Sequence, residues 1–362
     1  MIPVTKPYLP SLDKYKHLLD GIYQRHWLTN AGPLTKELTI RLEEYLGVKN
    51  LLLVSNGTLA LQVAMKALKL PEQSKIVTTP FTFVATSGAI AWEGHQTHFS
   101  DINSKSLNLC SEQLLEHHQS AEALMGVHVF GNPCDVNKLD ALKHLFGNKV
   151  IYDAAHAFSV QYQGQSVLNY GDASTLSFHA TKLFHTVEGG AIVFKHNDDF
   201  ELAKQIINFG LDNQGQGLPE IVGINAKMSE MHAAMGLAVL DDIEFIIAKR
   251  LALIEQYKHL LAGVVEFQQW HINSQSNGAY MPVVFKDEAE LLNVLTALNS
   301  ESIFPRRYFY PSLNTSKAFD NGQRCPVSES IASKILCLPL YVDLEESQVK
   351  IICKLIIQNI SQ

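Results

Sequence analysis

Three residue types at fixed spacing carry the chemistry open to this chain: an acid ending an apolar run, a lysine 29 residues later, and paired glycines beyond it. The acid is Asp153 in Val150-Ile151-Tyr152-Asp153-Ala154-Ala155-His156. The lysine is Lys182 in Ser177-Phe178-His179-Ala180-Thr181-Lys182, and Glu188-Gly189-Gly190 follows it. A lysine amine condenses with an aldehyde, and a nearby carboxylate favours a protonated ring nitrogen. These are the needs of a pyridoxal phosphate (PLP) site, with Lys182 as the Schiff-base lysine and Asp153 as the partner of the pyridine nitrogen. A desolvated lysine has a lowered pKa and can serve as general base and acid in turn. The competing reading is a solvated surface lysine. The run Ser174 to Phe178 before it and the Glu-Gly-Gly turn after it argue against that.

Other residues fit the same site. His156 is placed to contact the ring hydroxyl, or it packs as an ordinary histidine. Ser55-Asn56-Gly57-Thr58 lies between an apolar run and a helical pattern, so helix N–H groups and the helix dipole would face an anion. The same turn also reads as plain capping. Gly57 and Thr58 are the phosphate candidates there, and Ser177 adds a hydroxyl. In Pro80-Phe81-Thr82-Phe83-Val84 an aromatic is placed to stack on the ring; Phe83 is the choice, against ordinary core packing. His179 and His185 flank Lys182 at three residues on either side. No acidic or cysteine partner completes a set, so no metal is expected.

These residues need a frame to hold them. Leu51–Val54, Lys75–Thr79, Thr97–Phe99, Leu124–Val129, Val150–Tyr152 and Gly190–Phe194 read as strands. Leu61, Met65 and Leu68 fall on one face of a helix. Ala85 to Trp92 and Asp140 to Phe146 also read as helices. Such alternation predicts an α/β domain with a mostly parallel sheet, whose ligands bind beyond the carboxyl ends of the strands. Asp212 to Gly223 reads as a loop. Lys227 to about Leu261 reads as one long helix, with a domain boundary near residue 240. Residues 1–240 would form the large domain and 241–362 a smaller α+β domain. In it, Tyr280–Phe285 reads as a strand, and Glu288–Leu298 and Gln348–Ile360 as helices.

The 362 residues are 46% hydrophobic with a net charge of −7, enough for about two domains. No basic stripe suggests nucleic acid. Five cysteines without a CxxC pair support neither a disulfide framework nor a zinc site. No run of ~20 apolar residues suggests a membrane span, and the N-terminus lacks a signal-peptide core. The expectation is a reduced, soluble, cytoplasmic protein.

Four motifs in order, Asp153-Ala-Ala-His156, Ser177-Phe-His-Ala-Thr-Lys182, Glu188-Gly-Gly190 and Gly223-Ile-Asn225-Ala-Lys-Met228-Ser229-Glu230, resemble the DegT/DnrJ/EryC1/StrS family. These are nucleotide-sugar aminotransferases of the aspartate aminotransferase fold (type I), and the resemblance runs from Ile2-Pro3 to the C-terminus. It implies the roles assigned above to Lys182, Asp153, His156, Phe83, Gly57, Thr58 and Ser177. It further implies that Asn225 reaches the phosphate of a neighbouring subunit, so that a homodimer shares its active sites. Arg306 and Tyr310, in Phe304-Pro-Arg306-Arg-Tyr-Phe-Tyr310-Pro, would lie near substrate, as would Thr29 and Asn30 of Thr29-Asn-Ala-Gly-Pro33 and Glu188. Ala226-Lys227 replaces the arginine or tyrosine common before the Met-Ser/Thr-Glu run. The lysine motif resembles that of members aminating carbon 4 of dTDP-4-keto-6-deoxy-D-glucose with L-glutamate, for O-antigen or other polysaccharide sugars. Rival readings are a galacto epimer, a GDP-linked or 3-keto sugar, and a non-catalytic PLP-binding regulator. A dehydratase of the same scaffold would carry histidine in place of Lys182.

Overall fold

The computed structural model describes residues 1–117, 120–212, 218–319 and 322–360. Residues 213–217 of the expected Asp212–Gly223 loop lie outside them. Seven strands form the central sheet: β1 (Leu51–Val54), β2 (Lys75–Thr78), β3 (Gln96–Phe99), β4 (Ala123–Val127), β5 (Lys149–Asp153), β6 (Ala173–Ser177) and β7 (Gly190–Phe194). Their order is β1-β7-β6-β5-β4-β2-β3, and all pairs are parallel except those of β7, which runs antiparallel to β1 and β6. The sheet is thus mostly parallel, as the alternation predicts.

Both faces of this sheet are covered. Alternate residues of β1 feed different cores: Leu51 and Leu53 pack with Leu38, Leu42 and Val239, whereas Leu52 and Val54 pack with Leu61, Ala64 and Met65. Strands buried on both sides read as continuous apolar runs because neither face meets water. β6 was not expected as a strand. Its sequence, Ala-Ser-Thr-Leu-Ser, is polar, yet Ser174 and Thr175 are fully buried. The Ser174 hydroxyl donates to the Tyr170 carbonyl and the Thr175 hydroxyl to the Tyr152 carbonyl.

The expected single helix from Lys227 to Leu261 is corrected to two, Glu230–Leu240 and Ile243–Leu260. Asp241 and Asp242 lie between them; Asp242 takes Lys14 and Tyr8, and Asp241 takes Arg41. These ties to the N-terminal segment and the helices Leu12–Arg25 and Pro33–Leu46 accompany the turn of the chain at that point. Beyond it, a third core built from residues such as Leu253, Tyr257, Val283, Leu291, Leu336 and Ile352 joins helices Ile243–Leu260, Glu288–Ser300 and Glu346–Asn359 to a small antiparallel sheet. That sheet is ordered Glu266–Phe267, Pro282–Val284, Ile335–Cys337. The chain start crosses to this part, because Ile2–Pro3 pairs parallel with Ile303–Phe304. Among the described residues no helix is long and apolar enough to cross a membrane.

Candidate active site

A cavity of about 340 Å³ opens beyond the carboxyl ends of the parallel strands. Asp153, the last residue of β5, points into it between Val127 of β4 and Thr175 of β6, its register neighbours. Its carboxylate is buried and held from two sides. Thr86 Oγ1 donates to Oδ2 at 2.7 Å and the Ala155 N–H donates to Oδ1 at 3.1 Å. Burial pushes the carboxyl upward, while these two donors and the charge of Lys182 pull it down. A cationic partner in the cavity would add to that downward pull.

Lys182 enters from the turn between β6 and β7. Phe178 and Phe184 anchor that turn, with Phe158 stacked on Phe184 at 4.6 Å. The Lys182 N–H closes it on the His179 carbonyl and the Thr186 N–H on the Phe178 carbonyl. Two buried aromatics therefore fix the backbone from which the lysine projects. Burial lowers its amine to about 8, with Asp153 and Tyr308 opposing the shift. A larger fraction is then uncharged near neutral pH than for a surface lysine, as a nucleophilic or basic amine requires.

His156 lines the same cavity. The Phe130 N–H donates to its Nδ1 at 3.3 Å, so the ring carries its proton on Nε2. Phe130 and Phe309 lie nearly parallel to it at 6.2 and 6.0 Å. Burial, and then the charge of Lys182, push its pKa well below the usual histidine range, so it is neutral.

The other end of the cavity is the start of the Gly57–Ala67 helix. Asn56 caps it, accepting from the Leu59 N–H at 2.8 Å, and the first-turn N–H groups beyond have no intrahelical acceptor. Gly57 sits so close to β6 that a Cβ would lie 2.8 Å from Ser177 Cβ. That contact brings the helix start against the Ser177 hydroxyl, making a cup of N–H and O–H donors suited to phosphate. Phe83 stands at the rim, 58% exposed, while its neighbour Phe81 is the one that enters the core. The donors, the carboxylate on the strand end and the buried amine therefore fit the three functional groups of PLP.

Glu188 and Arg306 also line the cavity. Glu188 Oε1 lies 3.6 Å from His179 Nε2. Arg306 is fixed through its backbone, which exchanges both hydrogen bonds with Cys337. Four expected residues do not line the cavity. Tyr310 faces outward with the Arg307 guanidinium stacked 3.4 Å from its ring. Thr29 and Asn30 are exposed, Asn30 in the left-handed region at φ 61°. Asn225 is exposed and bridges Asn208 through its backbone. His185 is structural, with Nε2 bonded to the Tyr8 carbonyl at 2.7 Å.

Several site residues went unread in the sequence. Thr86 is one; it sits four residues after Thr82, one helical turn away, and the two hydroxyls bond at 2.8 Å. Tyr280 comes from the C-terminal part with no local pattern to mark it, and Tyr308 and Phe309 lie between the motif residues Arg306 and Tyr310 but had no role assigned. Glu230 is another. It is fully buried and accepts from the Leu34 and Thr35 N–H groups and the Thr35 hydroxyl, so it caps the Pro33–Leu46 helix and ties down the loop before it. A Cβ on Gly32 would overlap its carboxylate.

The chain is similar to known proteins over nearly its whole length. The model of the DegT/DnrJ/EryC1/StrS aminotransferase family matches residues 13–357. A dTDP-4-amino-4,6-dideoxy-D-glucose transaminase of Shigella dysenteriae is 37% identical, over 94% of each chain. One of the same name from Escherichia coli is 36% identical, over 98% of each. The solved structure of DesI in the presence of its TDP-sugar product superimposes with a TM-score of 0.91 at 29% identity, covering 99% of this chain and 92% of that one. The chain belongs to the DegT/DnrJ/EryC1/StrS aminotransferase family, and as in that family its cofactor is PLP.

Proposed function

We propose that this enzyme converts dTDP-4-keto-6-deoxy-D-glucose to dTDP-4-amino-4,6-dideoxy-D-glucose with L-glutamate as amino donor. The observation that carries the reading is the meeting of Lys182 and Asp153 in one cavity with the donor cup at Gly57, Thr58 and Ser177. The sugar is supported by the names of the two relatives, which match nearly the whole chain. The product would feed O-antigen or a related polysaccharide, in the cytoplasm.

When bound, PLP supplies an electron sink that carries the amino group between the two substrates. The residues of the chain do the rest. Asp153 would partner the ring nitrogen and favour its protonated form. His156 would donate its Nε2–H to the ring hydroxyl, and Phe83 would pack on the ring. The helix start and Ser177 hold the phosphate. Lys182 would be the residue that holds the cofactor's aldehyde carbon, and its Nζ, when free, would serve as the general base and acid that moves the proton between carbons. The balance is one amino group passed from glutamate, which leaves as 2-oxoglutarate, to the sugar carbonyl.

Glu188 and Arg306 stand at the cavity wall where sugar and nucleotide would enter. Thr29, Asn30, Asn225 and Tyr310 lie outside the cavity of their own chain, which suits contacts made across a homodimer. Incubation of purified protein with PLP, L-glutamate and dTDP-4-keto-6-deoxy-D-glucose, followed by NMR of the sugar, tests the reading. An equatorial amine at carbon 4 is the expected product. An axial amine, amination at carbon 3, or no reaction with this sugar would overturn it.

A further inference from the structure

We propose that Tyr280 is a positioning residue for Lys182, directing the free amine toward the reacting atoms through its hydroxyl. The proposal rests on the assignment of Lys182 above. Tyr280 comes from the C-terminal part, two residues before the strand Pro282–Val284. Lys182 Nζ donates to its hydroxyl at 3.5 Å and lies 6.0 Å from the centre of its ring. Catalytic hydrogen bonds of this length often tighten when substrate binds.

The tyrosine is held firmly enough to aim another group. Its ring packs on His156 at 4.4 Å and on Phe130 at 5.5 Å, and Tyr308 meets it edge-on at 5.9 Å. The backbone on both sides is clamped. Arg250, itself buried, donates Nε to the Gly278 carbonyl and Nη2 to the Ala279 carbonyl, both at 2.7 Å, and Nη1 to the Leu340 carbonyl at 2.9 Å. The Leu338 N–H holds the Met281 carbonyl. A buried guanidinium whose named partners are three carbonyls is a costly device, and its effect is to fix the two residues ahead of Tyr280.

The lysine, by contrast, has a flexible four-carbon stem and needs a second contact to choose one direction. Burial raises the Tyr280 hydroxyl far above its ordinary range, so it keeps its proton. It can accept from the ammonium and donate to the free amine. If Tyr280 served only as packing for His156, phenylalanine would serve equally well.

The test is Tyr280→Phe, which keeps the ring and removes the oxygen. In full-length apo-protein, reductive methylation of Lys182 is followed against pH by peptide mass. The wild-type midpoint is expected near 8, because burial disfavours the ammonium. In the variant the ammonium loses an acceptor, and a charge-assisted bond is the stronger of the two the hydroxyl can make. The midpoint therefore moves lower, by about half a unit. In the reconstituted enzyme kcat falls on the order of tenfold while KM for the keto sugar holds. Superimposable methylation profiles for Tyr280→Phe and wild type would overturn the proposal, whatever sugar is used. Failure of wild type to aminate the sugar would overturn the proposed substrate and leave the methylation result standing.

Discussion

The cofactor end and the sugar end of this site are built differently. Asp153, His156, Lys182, Gly57 and Ser177 all converge on one cavity within a single chain, on strand ends, a helix start and a turn anchored by buried aromatics. Of the residues expected at the sugar end, only Glu188 and Arg306 reach that cavity; Thr29, Asn30 and Tyr310 face outward, as does Asn225, the one cofactor residue expected to serve a neighbouring subunit. A group common to every reaction of the family can be gripped by the sheet itself. A substrate that varies is met by loops, which can change without disturbing the core.

The comparison can be broken or sharpened by substitution. Lys182→Arg should take turnover to background in the glutamate and keto-sugar assay, since a guanidinium neither bonds the cofactor nor carries the proton. Retained turnover would remove the basis for the cofactor end. Asp153→Asn keeps the shape and the Thr86 contact but loses the charge, and kcat should drop on the order of 10²–10³-fold with the cofactor still bound. For the outward-facing residues, Asn225→Ala should weaken cofactor binding about tenfold in a fluorescence titration. Mixing it with Lys182→Arg protein and allowing subunit exchange should restore part of the lost activity if two copies share a site. The smallest effect belongs to Thr86→Val. It removes one of the two donors to Asp153, worth ~1 kcal/mol, and kcat should fall about fivefold with unchanged KM for the sugar.

What could be read from the sequence follows the same division. β1 and β7 were legible to the residue because Leu51–Val54 and Gly190–Phe194 are apolar on both faces. β6 was not, since Ser174 and Thr175 are buried polar residues whose bonds only the folded chain supplies. The break between the helices ending at Leu240 and starting at Ile243 was hidden for a related reason. It coincides with ties from Asp241 and Asp242 to residues more than 190 positions away, such as Lys14 and Arg41. Lys182 and Asp153 stood out through local motif and spacing. Thr86 and Tyr280 act on groups distant in the chain, and nothing beside them in sequence announces it; Glu230 stood in a legible motif, but its bonds to Leu34 and Thr35 did not show there.

The central claim is that Lys182 is the lysine that bonds the cofactor in the cavity. Borohydride reduction of the PLP-loaded enzyme, followed by peptide mass analysis, tests this most directly. The account predicts a phosphopyridoxyl mass on the peptide bearing Lys182 and its loss in Lys182→Arg. The same mass on a different lysine, with Lys182 unmodified, would contradict it.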